Sequence, residues 1–262
     1  MNEVAEARKL GILDFLNLCY DGHPEYSLFA VQASIESVIA ALIDHRKTIT
    51  TCDRQDWQTM KFKAYRLRSR QLEWTQNIAL ESWDATERNG FLNPGFPVLQ
   101  VGDWTIILRS LGWLNSELID EVSNDAKALS GLLHTKTASL LEEDTAGAIA
   151  YELFENNEVL ESVEYFDGEV QFKSKLRDRP IFLELDDEDE SDILADVQIR
   201  FIHDTFSNLG IYLPAVRAVG DEQTPALQVM PVSEATIDRA DWITLNEIWE
   251  TDTEPSDEDD AE

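Results

Sequence analysis

Residues 148–172, AIAYELFENNEVLESVEYFDGEVQF, hold the pattern that decides the fold. Apolar residues alternate with seven acidic ones, and two turn-forming pairs, Asn156-Asn157 and Asp167-Gly168, interrupt the run. Alternation with a period of two marks strands that keep one face wet and one dry. Asp-Gly is a favoured two-residue hairpin, because the primed turns need positive φ at their centre. That register pairs Tyr165 with Val170, Glu164 with Gln171 and Val163 with Phe172, so like meets like on each face. The first turn is less simple. A two-residue loop at Asn156-Asn157 would set Glu152 against Glu161 and Ile149 against Glu164, and like charges opposed across a pair are unfavourable. An odd-length loop or a bulge would instead match Leu153 with Val159 and Ile149 with Val163, and of the two the odd loop is expected. Glu161 then falls on the apolar side beside Tyr151, and a place at the sheet margin is expected for it. The remaining acids read as the solvated face of an antiparallel meander, with no chemistry needed to explain them.

Outward from the meander, the same logic gives an alternation of strands and helices. On the N-terminal side, Tyr26–Val31 (YSLFAV) reads as a strand and Ser34 as a helix N-cap. Ile35, Val38, Ile39, Leu42 and Ile43 then recur at i, i+3, i+4, i+7 and i+8, one apolar stripe against a flat surface. Asp44-His45-Arg46-Lys47 suits a last turn, and Thr48–Thr51 is β-prone. Residues 4–19 form a short amphipathic pattern stopped at Asp21-Gly22. Residues 57–79 suggest two strands. Residues 98–111 (VLQVGDWTIILRSL) form a buried strand pattern broken at Gly102-Asp103. Residues 115–134 hold helical spacing, and Thr135–Leu141 reads as a strand. C-terminal to the meander, a helix capped by Ser191 and ended by Gly210 is expected. Short strands over Ile211–Val219 and Leu227–Val232 and a last ordered element at 241–249 follow. Helices fall between runs of hairpin-linked strands, so the expected fold is α+β, with antiparallel sheets and a few covering helices. Turn formers at Asn89–Pro97 suggest two similar subdomains, 1–92 and 93–249, followed by a disordered acidic tail, 250–262.

Composition restricts the partners. The formal charge is −31, a sign that repels phosphate backbones and anionic lipid heads. Nucleic acid and membrane surfaces are poor partners; a basic protein, or a metal cation, is a better one. Two runs without a base, Glu184–Asp192 and Glu250–Glu262, supply fifteen acids, leaving 37 acids against 21 bases elsewhere. Half the excess therefore sits in two short segments, read as a solvated loop and a tail. Two cysteines in 262 residues make no disulfide framework. Reduced thiols and a cytoplasmic location are expected, with neither a signal peptide at the N-terminus nor a membrane span.

Signals for chemistry are weak. His23, His45, His134 and His203 are scattered, and no paired CxxC or HExxH appears. Asp186–Asp192 lacks the glycine and terminal glutamate of a calcium loop. Cys19 and His23 are separated by a turn, and His203-Asp204 would point apart on a helix. No cofactor, metal or catalytic residue is assigned. Lys61, Lys63, Arg66, Arg68 and Arg70 stand out as five bases in ten residues of an acidic chain. They read either as a ladder of cross-strand ion pairs or as a contact for an acidic partner, the chain's own tail included. Asp186, Asp187, Glu188, Asp189 and Glu190 are the matching candidate contact for a basic partner. The reading is a non-enzymatic interaction module, whether adaptor, regulator or neutralising partner. Its alternative is an enzyme with carboxylates in a cleft between subdomains.

Overall fold

The computed structural model describes residues 25–53, 60–75, 95–110, 116–143, 148–166, 169–178, 205–211, 216–219, 226–229 and 237–251. In chain order the elements are β1 (Glu25–Val31), α1 (Ile35–Asp53), β2 (Met60–Gln71), β3 (Glu73–Thr75), β4 (Gly95–Val101), β5 (Trp104–Ser110) and α2 (Ser116–Leu133). Then come β6 (Lys136–Glu143), β7 (Ala148–Glu155), β8 (Glu158–Phe166), β9 (Glu169–Ser174), β10 (Val216–Val219), β11 (Ala226–Val229) and β12 (Arg239–Thr251). Nine strands form one sheet in the order β2-β12-β4-β5-β1-β6-β7-β8-β9, and every neighbouring pair is antiparallel. A small second sheet joins β10, β11 and β3, with β11 and β3 parallel. The fold is thus α+β, dominated by one antiparallel sheet with few helices.

Both faces of the central strands are dry. Along β1, Leu28 and Ala30 enter one apolar cluster, and Phe29 and Val31 the other. Burial on both faces explains why YSLFAV is a continuous apolar run rather than an alternating one. One face is covered by α1 and α2. Ile35, Val38, Ile39 and Leu42 are buried and Ile43 packs beside them, as the spacing requires. Ser34 caps α1, with its Oγ 3.4 Å from the Ser37 amide. The opposite face collects Leu99, Trp104, Ile106, Leu140, Tyr151 and Trp242, covered by Phe206, Ile211 and Leu227. Phe206 meets Tyr151 edge-on, with ring centres 6.1 Å apart. Gly210 ends its helical turn at φ 74°. The Ile211 amide reaches Phe206 O and the Gly210 amide Ser207 O, a Schellman closure whose two flanking apolar residues are both buried.

Several expectations need correction. Thr48–Thr51 is helical, because α1 runs on to Asp53. No Gly or Pro stands in the way, and the helix cost of Thr and Ile is only tenths of a kcal/mol each. Ile211 lies in the cap after Gly210, and β10 begins only at Val216. The loop at Asn156-Asn157 is not odd. Both residues have positive φ, 52° and 65°, and Phe154 pairs with Val159 across a two-residue turn. A bulge then shifts the register between Leu153 and Phe154, so Leu153 meets Glu161, Tyr151 meets Val163 and Ile149 meets Tyr165. The bulge, rather than the loop, removes the clash of Glu152 with Glu161. The Asp-Gly hairpin register is as expected at all three pairs, although residues 167–168 lie outside the described residues. So do the 4–19 helix, the run 184–192, the start of the Ser191 helix and residues 252–262. Two similar subdomains are not confirmed: β1 and β2 share the large sheet with strands from beyond residue 93, and β1 sits between β5 and β6.

Candidate functional site

The basic residues lie on β2, an edge strand of the large sheet. Within that sheet β2 pairs with β12, and its other side carries no strand among the described residues. Arg66, Arg68 and Arg70 form one alternate set, opposite Asn246, Thr244 and Trp242. The register shifts between Ile248 and Trp249, which leaves Lys63 as the extra residue on β2 and places Lys61 opposite Glu250. Without that shift Lys61 would belong to the other alternate set; with it, Lys61 shares the phase of the three arginines. Leu67, Arg68, Ser69, Arg70 and Gln71 are exposed. An edge strand rich in Lys and Arg resists pairing with its own copy, a recurring device at sheet edges.

The acidic candidates Asp186–Glu190 lie outside the described residues, as do Cys19, His23 and His203. His45 sits on α1 and His134 just after α2. Trp242 is buried in the core, with no acceptor for its Nε1 among the described residues. Among the described residues no three His, Cys, Asp or Glu side chains gather as a metal-ligand group. No helix there is long and apolar enough to cross a membrane.

Sequence reading missed where the buried acids go. Among the described residues three carboxylates are buried: Asp125, Glu161 and Asp241. Each is met by a guanidinium. Arg177 holds Glu161 with two bonds, Nε to Oε2 at 2.6 Å and Nη2 to Oε1 at 3.0 Å, and Ser174 Oγ donates at 2.9 Å. Glu161 is therefore not at the sheet margin. It is 2% exposed, one strand in from the β9 edge, under the 175–178 segment that follows β9. Arg239 holds Asp241 through Nη2 at 2.5 Å and Nε at 3.2 Å, and also reaches Glu36 on α1. The cluster ties the last strand to the first turn of the helix. Glu36 is held below the usual carboxylate range, first by a backbone hydrogen bond at the helix start and then by Arg239, whose own affinity for its proton is raised by Asp241 first and by Glu36 second. Asp125 joins α2 to α1 through Arg46 Nη2 at 2.7 Å, with His45 Nε2 3.3 Å away.

Bidentate pairs of this kind fix geometry and satisfy buried charge. A legible hint existed for one: Arg239 and Asp241, two apart on a strand, must share a face. Gln100 is a fourth polar anchor. Its Nε2 donates to Gly102 O and Trp104 O, and its Oε1 accepts from the Ile35 amide at 3.2 Å, joining the β4–β5 hairpin to the start of α1.

Comparison with protein-family models, with curated proteins and with solved structures finds no match to this chain.

Proposed function

We propose that this chain is a non-enzymatic interaction module that docks on a basic protein surface, as an adaptor, regulator or neutralising partner. The observation that carries the reading is the disposition of its acids. Every buried carboxylate among the described residues is matched by the chain's own arginine. Among the described residues the other acids of known burial lie largely on the surface: Glu36, Asp44, Asp103, Glu158, Glu164, Glu169, Asp178 and Asp238 are all exposed. A surface field of one sign steers a partner of the other and is weakened by salt. The candidate contact within that field is Asp186–Glu190, the densest acidic run before the tail.

The test begins with the tagged full chain in extract of its own source, captured at about 50 mM and about 500 mM salt, concentrations that bracket strong and weak screening. A captured basic protein is then purified and titrated against the chain. A saturable complex of fixed stoichiometry, lost at high salt and weakened when 186–190 is neutralised, is the expected result. A chain that stays monomeric, with no stoichiometric partner at either salt, defeats the proposal.

A further inference from the structure

β9 is the other edge of the large sheet. It pairs with β8, and its outer side carries no strand among the described residues. The ladder fixes which way its backbone points. The Lys175 amide donates to Leu160 O, one step beyond the pair of Glu161 with Ser174, and bonded pairs alternate along an antiparallel ladder. Glu169, Gln171 and Lys173 therefore bond inward to β8, and the amides and carbonyls of Val170 and Phe172 point out from the edge. The side chains sort the same way. Val170 and Phe172 stand opposite Tyr165 and Val163, on the face of the sheet that carries Tyr151. Glu169, Gln171 and Lys173 are exposed on the other face, and neither Glu169 nor Lys173 has an ion-pair partner among the described residues. Among the described residues five large apolar side chains are exposed, and three of them, Phe166, Val170 and Leu176, lie on β8, on β9 or just after it.

We propose that β9 takes a second copy of this chain: two β9 strands pair antiparallel about a twofold axis through Gln171, and the sheet of one copy runs on into the other. The strand is complementary to its own reversal about that point. Glu169 meets the partner's Lys173, Val170 meets the partner's Phe172, and Gln171 meets the partner's Gln171. Each relation holds in both directions, as a twofold interface requires. This register places the outward-pointing Val170 and Phe172 in the bonded pairs. It sets opposite charges side by side on the wet face. On the other face it continues the apolar row from Val163 and Phe172 to the partner's Val170 and the partner's Tyr165. The neighbouring registers of the same backbone phase lose that match. An axis through Phe172 sets Val170 against the partner's Ser174, and one through Val170 sets Phe172 against the partner's Gly168. The two edges of the sheet are thus unlike. β2 is guarded by its run of bases, whereas β9 holds no Pro, no bulge and no block of like charge. The charge of −31 on each copy opposes association. The dimer should therefore strengthen as salt screens that field, the reverse of the response expected for a basic partner.

Sedimentation equilibrium of the full chain from about 1 to about 500 μM, a range suited to a small interface, tests this. The salt is about 0.15 M, where the long-range field is screened and contacts shorter than the Debye length of about 8 Å persist. A monomer–dimer equilibrium is expected. Lys173→Glu opposes like charges at both ends of the pairing and should weaken the dimer about tenfold, as should Glu169→Lys. Both side chains are exposed, so neither change disturbs the core. Glu169→Lys/Lys173→Glu restores opposite signs at an unchanged formal charge of −31 and should recover the affinity to within about threefold. Hydrogen exchange locates the contact. Protection of the Val170 and Phe172 amides should rise with protein concentration, while Gln171 and Lys173, bonded to β8, are protected throughout. A chain monomeric at the top of the range overturns the proposal, as does a double variant no tighter than the single ones. So do Val170 and Phe172 amides protected equally at every concentration, which would assign the edge to a segment of the same chain. Assembly beyond two copies also overturns it, because a twofold pairing of β9 consumes that edge.

Discussion

Glu161 and Arg177 form a closed pair: the carboxylate is buried under the meander and both of its oxygens are bonded by one guanidinium. The pair locks the segment after β9 onto β8. Removing the base alone leaves a buried charge without its partner, which costs about 3–5 kcal/mol. Arg177→Met should therefore destabilise the fold by that amount in urea unfolding. Glu161→Leu with Arg177→Met should recover most of the loss, since an apolar pair of similar volume needs no compensation. An additive double variant would show that the two residues act independently.

Tyr151 gives an alkaline signature. Burial raises its phenol well above the ordinary range, and the Glu161 charge adds to that, with Arg177 opposing. The folded state therefore keeps the proton that the unfolded state gives up near pH 10. Stability from this source is fully present below pH about 10 and falls as pH rises beyond it, by up to about 1.4 kcal/mol per pH unit. Tyr151→Phe should lack this slope. The stability difference between wild type and variant, followed by urea unfolding from pH 8 upward, should be flat and then decline. A constant difference through the alkaline range would mean the phenol is not held protonated.

The opposite sign applies at Glu36. Its folded-state affinity for a proton is lowered, by the backbone hydrogen bond at the start of α1 first and by Arg239 second. The stabilisation it gives is present above the ordinary glutamate range and is lost as pH falls through the lowered folded value. Glu36→Gln should be less stable than wild type near neutrality and converge with it in acid. The effect is small because the side chain is exposed. Parallel unfolding curves across the acid range would assign no role to the ion pair with Arg239.

What the sequence disclosed was local. The Asp167-Gly168 register followed from one dipeptide and three matched pairs, and the face of α1 from five apolar positions. What it hid was set by distant partners. β12 lies between β2 and β4, about 170 and 140 residues away along the chain, and no periodicity encodes such pairing. Thr48–Thr51 has a weak local preference that continuation of α1 overrides. Glu161 shows the same limit at the candidate site. Its position facing the apolar side was readable, but Arg177 came from a segment whose path no pattern specified. The basic run on β2 was visible by composition alone, while its place at a sheet edge was not.

The α2 terminus and the Asn156-Asn157 turn make one joint, and its chemistry yields the sharpest cycle. The Asn157 amide donates to Ser130 Oγ at 3.0 Å, and His134 Nδ1 lies 3.2 Å from Asn156 Oδ1. Between them Gly131 packs so closely that a methyl there would overlap the Asn157 carboxamide. Ala is ordinarily better than Gly inside a helix by about 1 kcal/mol. Here the obstructing atoms are the end of an exposed Asn157 side chain that can swing aside, so Gly131→Ala should change stability by less than about 1 kcal/mol, the helix preference being offset by the displaced carboxamide. Asn157→Gly removes the obstructing side chain at a position whose φ of 65° suits glycine. The combined variant should then regain wild-type stability or exceed it, because the helix keeps its alanine and the turn gains its preferred Asn-Gly pair. Thermal unfolding of the four proteins decides the matter. If Gly131→Ala gains the full helix preference of about 1 kcal/mol on its own, the Asn157 carboxamide moves aside without cost and the double variant should add nothing further.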